Sequence, residues 1–249
     1  ATINLKQVET IPEDAAVLVI AGPKGSFLVD EREKIHNYLK LGGRAIFLID
    51  DAMKTQLNKV LNEWGIDMPA GVILDLGSSV TGDPRSPIIR RASYSADHPI
   101  TKPLDESFLT ETAAIQDIIK RAPEGLPPNP DELNISIAPL ASTTIFSCTT
   151  MDADRNYCST DDDIAGPHQV AIAIEALAPV GEDPVDPFSD APKAAIVVIG
   201  DSDFASNRYY FALNNSDLFL NSVGWLAQKY DIISIRAKPQ AFRMLVIDQ

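Results

Sequence analysis

"VLVIAGPKGSFLVDEREKIHNYLKLGGRAIFLIDD", residues 17–51, sets two apolar runs on either side of one amphipathic stretch. The first run ends in Gly22-Pro23 and the second in Asp50-Asp51. Short continuous apolar runs closed by turn residues read as buried strands of a parallel sheet. Between them Ile35, Tyr38 and Leu39 share one helical face. Asp30 with Glu33 makes a capping-box-like start, and Gly42 supplies the stop. Strand, helix, strand at this spacing is a right-handed crossover unit.

Downstream, "MKTQLNKVLNEWG" (residues 53–65) puts Leu57, Val60, Leu61 and Trp64 on one face and reads as a second helix. "GVILDLG" (71–77) then reads as a third strand, so a doubly wound α/β sheet, mostly parallel, is expected. The middle is less regular: "SPIIRRASYSADHPIT" (86–101) suggests extended segments between turns, and "HQVAIAIEALAPV" (168–180) a long strand. These supply antiparallel additions. Two loops rich in proline and acid, "RAPEGLPPNPDELN" (121–134) and "GEDPVDPFSDAP" (181–192), are too short to separate independent cores and read as insertions. After "KAAIVVIG" (193–200), "NNSDLFLNSVGWLAQKY" (214–230) reads as a helix with Ser216 at its N-cap. "DIISIR" (231–236) and "FRMLVID" (242–248) read as strands at a sheet edge or leading toward a membrane segment.

The 249 residues are 45% hydrophobic and 22% charged, with a formal charge of −14. That is ordinary globular composition with material for a sizeable core. The charge argues against a nucleic-acid partner and against adsorption to anionic lipid. No run reaches the roughly 18 apolar residues of a membrane span. The chain opens at Ala1 rather than methionine and stops just after an apolar stretch. It reads as a single α/β domain, residues 1–249, excised from a longer membrane-anchored parent.

Ligands and catalytic groups of α/β proteins gather at the carboxyl ends of strands. Three strand ends supply candidates here: Gly22, Pro23 and Gly25; Asp50 and Asp51; and Asp201, Ser202, Asp203 and Asn207 of "GDSDFASN". Ser202 on a strand-to-helix turn could serve a hydrolase, and "GDS" superficially resembles the start of GDSL-type esterases. That family carries a late Asp-x-x-His, whereas His36, His98 and His168 all precede Ser202. The aspartates could instead converge on a hard cation or simply cap backbone amides. Asp152, Asp154, Asn156 and Asp163 occupy positions one, three, five and twelve of a calcium-loop pattern, but Tyr157 stands where glycine belongs. No dinucleotide or P-loop fingerprint occurs. Cys148 and Cys158 match no redox or zinc spacing and could close a disulfide if the compartment is oxidising, provided the fold brings their Cα atoms close enough.

Together, residues 17–51, "DHPIT" (97–101), "IVVIGDSDFASN" (196–207) and "NNSDLFLNSVGWLAQKYDIISIR" (214–236) resemble one family, the GldG-like auxiliary component of gliding-motility-type ABC transport systems. The resemblance implies a flavodoxin-like sheet akin to class I glutamine amidotransferases. It also implies an extracytoplasmic domain held by transmembrane segments outside these residues, working beside ABC permease and ATPase subunits. Amidotransferases place a cysteine on a strand-helix elbow. Cys148 and Cys158 lie in or beside the acidic region instead, so that chemistry is not expected, and no cofactor is implied. The expected function is therefore a non-catalytic accessory or binding domain. The competing readings are a hydrolase using Ser202 or a metal at the strand-end aspartates, and a purely structural protein–protein scaffold.

Overall fold

The computed structural model describes residues 1–80, 82–119, 134–152, 154–159, 161, 163–177 and 193–228. The chain begins with β1 (Leu18–Ala21), α1 (Val29–Lys40) and β2 (Arg44–Leu48). The short helices α2 (Ala52–Thr55) and α3 (Asn58–Leu61) follow, then β3 (Ile66–Asp67) and β4 (Val72–Asp75). Next come β5 (Ser79–Val80), β6 (Asp83–Arg90), β7 (Glu106–Phe108) and β8 (Gln116–Asp117). The second half holds β9 (Ile135–Ser142), β10 (Ser147–Thr150), β11 (Ile164–Ala165), β12 (Gln169–Leu177), β13 (Lys193–Ile199) and α4 (Asn215–Leu226).

The largest sheet has the order β1-β2-β13-β12-β9. β1 pairs parallel to β2, and β2 parallel to β13, whereas β13–β12 and β12–β9 are antiparallel. Period-two alternation divides its side chains between two cores. Ala45, Phe47, Ile196 and Val198 face one side, where they pack with Ile35, Leu39 and Trp64. Ile46, Leu48, Val197 and Ile199 face the other, against Leu218, Trp225 and Leu226 of α4 and against Phe204. Both faces of β2 and β13 are covered, which is why their sequences are apolar throughout.

The doubly wound expectation fails. Only this sheet contains parallel pairs among the described residues; β11-β10-β4, β3-β8 and β5-β6-β7 are antiparallel. "GVILDLG" forms β4 but pairs with β10 rather than extending the parallel sheet. The segment expected to be the second crossover helix breaks at Gln56, which lies at φ 63, into α2 and α3. Asn58 adds a tie: its side chain donates to the Met68 carbonyl (2.9 Å) and accepts from the Met68 amide (3.2 Å). Without a long helix to carry the chain across the sheet face, the next strand leaves for an antiparallel partner. The architecture is mixed α and β, neither flavodoxin-like nor class I glutamine amidotransferase-like.

Smaller expectations shift as well. β1 is an edge strand with Val19 45% exposed, not a buried one. α1 starts one residue before Asp30, with Leu28 at the cap and its amide donating to Glu31 Oε2 (2.8 Å). Gly42 at φ 85 ends that helix as expected. α4 is capped at Asn214 rather than Ser216. Most of the two proline-rich loops and both terminal strand expectations, 231–236 and 242–248, lie outside the described residues. No helix among the described residues is long and apolar enough to cross a membrane.

Candidate functional site

Parallel pairing puts the carboxyl ends of β1, β2 and β13 side by side, and the three predicted motifs meet there. Asp50, just past β2, is the hub. One of its carboxylate oxygens accepts the Ser202 amide (2.7 Å); the other accepts Ser202 Oγ (3.0 Å) and Lys24 Nζ (3.0 Å). The hydrogen bond to Asp50, with its opposite charge, raises the Lys24 pKa above the ordinary lysine value. Gly22 is required where it stands. Its φ is +56, and a Cβ there would lie 2.7 Å from Ser202 Oγ.

Asp201 is the buried member, 1% exposed. Its two oxygens accept the Thr110 amide (2.8 Å) and the Asp203 amide (2.6 Å). Burial pushes its pKa up to about 7 despite these two donors, with the charges of Asp50 and Asp203 adding to the rise. Asp51 does something else: it caps α2 by accepting the Lys54 amide (2.8 Å). Gly25 has open space around it, and Asn207 is exposed beyond the short 3₁₀ turn Asp203–Ala205.

A crevice of about 330 Å³ opens beside this hub, lined by Lys24, Asp50, Asp51, Arg85, Thr110 and Asp203 among others. The sequence motifs pointed to the three aspartates. Lys24 sits between Gly22-Pro23 and Gly25, in a turn whose sequence signal comes from its glycines and proline. Arg85 and Thr110 come from outside the strand-end pattern, so no spacing rule could have found them. Ser202 donates to a carboxylate rather than to a histidine. His36 faces Glu63 (2.9 Å), His98 packs against Trp225, and His168 Nε2 lies 3.0 Å from the Ile164 carbonyl.

The calcium-pattern residues do not gather round one point. Asp152 accepts the Asp154 amide (3.1 Å), while Asp163 holds Arg155 (2.5 Å) and the Ser159 amide (2.6 Å). Among the described residues no group of three or more histidine, cysteine, aspartate or glutamate side chains is arranged to hold a metal ion. Cys148 and Cys158 form a disulfide, with Cα atoms 5.9 Å apart.

A family model described as an ABC-type uncharacterized transport system matches residues 1–222, which include the whole crevice. Among solved structures, the mmIFT52 N-terminal domain is similar at 14% sequence identity and a TM-score of 0.54. That similarity covers 85% of this chain and 77% of the other. At such low identity it speaks for the fold alone. No curated protein matches the chain at a significant level.

Proposed function

Since the chain belongs to the auxiliary components of an ABC-type uncharacterized transport system, we propose that it is a non-catalytic, extracytoplasmic binding module of such a system, of the gliding-motility-like kind. In this reading it contacts the permease or ATPase-bearing subunits and is tethered by segments outside the described residues. The observation that carries the non-catalytic reading is the state of the strand-end hub. The Ser202 hydroxyl donates to Asp50, whose carboxylate also neutralises Lys24, and Asp201 is occupied by two backbone amides. A nucleophile needs an adjacent base to take its proton. A carboxylate already accepting two other donors is a poor one. The Cys148–Cys158 disulfide supports the extracytoplasmic placement, because such bonds persist in oxidising compartments.

The test is co-purification of the tagged chain with the permease and ATPase components from solubilised membranes, alongside Ser202→Ala. Recovery of those components with both forms is the expected result. Failure to recover them, or hydrolysis of generic ester substrates that Ser202→Ala abolishes, would overturn the reading. Thiol labelling of intact cells checks the compartment: both cysteines should stay unreactive until a reductant is added.

A further inference from the structure

We propose that the turn joining β9 to β10, with the disulfide-linked loop beside it, is a docking surface for a protein segment that presents apolar side chains framed by lysine or arginine. Ile145 and Phe146 at the tip of the turn are 70% and 64% exposed, and Leu76 beside them is 53% exposed. Together with Cys148, Cys158 and Ala165 they line one groove of about 640 Å³. Bulky apolar side chains scattered singly on a surface need no explanation, but a contiguous set does.

Hydrogen bonds and the disulfide also brace described residues on both walls of the groove. Asp75, with no exposure, accepts the Thr144 amide (2.9 Å), the Thr144 hydroxyl (2.5 Å) and the Gly77 amide (3.0 Å). The Phe146 amide donates to Thr144 Oγ1 (3.2 Å). On the opposite wall the disulfide ties β10 to the acidic loop, and Asp163 fixes that loop through Arg155 and the Ser159 amide. Apolar anchors that are already ordered lose less side-chain and loop entropy on binding.

Charge selects the occupant. Residues 144–167 contain five aspartates and one basic residue, Arg155, which Asp163 neutralises. Asp152, Asp154 and Asp161 of this loop are exposed. A second copy would bring the same acidic loop to the contact, and an anionic bilayer would be repelled, whereas flanking lysine or arginine is attracted. This inference does not depend on the chain's place in a transport system.

The test uses the whole chain and two synthetic amphipathic peptides, one leucine–lysine and the other leucine–glutamate. Saturable binding of the lysine peptide is expected, followed by fluorescence anisotropy. Phe146→Ser should weaken it by about tenfold or more while leaving the melting temperature unchanged. Asp152→Asn with Asp161→Asn should weaken it further and flatten its salt dependence. Equal binding by Phe146→Ser, or preference for the glutamate peptide, would overturn the proposal. So would a dimer that Phe146→Ser dissociates, or sedimentation with phosphatidylserine vesicles.

Discussion

Asp201 shows how a single residue can be readable in sequence yet acquire its chemistry from burial. Its position after an apolar run marks a strand end, but its pKa of about 7 comes from being enclosed beneath Asp50, Thr110 and Asp203. In the unfolded chain the same carboxyl returns to the ordinary carboxylate range, so the folded form holds the extra proton between that range and about pH 7. The contribution of Asp201 to stability is therefore greatest on the acid side and is lost as pH rises through 7. Urea unfolding of the wild type and Asp201→Asn across pH 4 to 8 should show their difference changing by on the order of 4 kcal/mol. A flat difference would mean that the carboxyl titrates as if exposed. Gly22→Ala tests the hub from the other side. Its positive φ and the 2.7 Å approach to Ser202 Oγ should cost about 1–3 kcal/mol, measured by the same unfolding curves.

At the scale of elements, the antiparallel unit β11-β10-β4 depends on links that periodicity does not reveal. β11 has only two residues, Ile164 and Ala165, paired with Thr149 and Cys148. The disulfide encloses the loop that leads to β11, and Arg155 neutralises Asp163, whose side chain is 2% exposed. Cys148→Ser with Cys158→Ser should lower stability by roughly 2–3 kcal/mol, as expected for a loop of this length. A reductant acting on the wild type should give the same drop in melting temperature. The helical segments carry the opposite lesson. α1 follows its apolar spacing, whereas the equally periodic stretch after Ala52 breaks at Gln56, whose φ of 63 is left-handed, and Asn58 opens α3 with its side chain bonded to the Met68 backbone.

Over the whole molecule, one sheet separates two cores, and its central strands carry most of the load. Phe47→Ala empties a fully buried site and should cost about 3–5 kcal/mol, while Val19→Ala on the half-exposed edge strand should cost under about 1 kcal/mol. Comparable losses would contradict the placement of β1 at the edge. The sequence by itself determined the strands β1, β2, β12 and β13, the helices α1 and α4, and the turn residues at three strand ends, two of them acidic, because these rest on local periodicity and turn chemistry. The broader family, an auxiliary component of an ABC-type transport system, was legible too, through ordered motifs along most of the chain. Only the tertiary structure decided which strands pair, that β4 turns to β10, that Lys24 and Arg85 join the crevice, and that Cys148 meets Cys158. Those choices depend on contacts between residues far apart in sequence. A strand's own residues state which of its faces are apolar, but not which edge it will find.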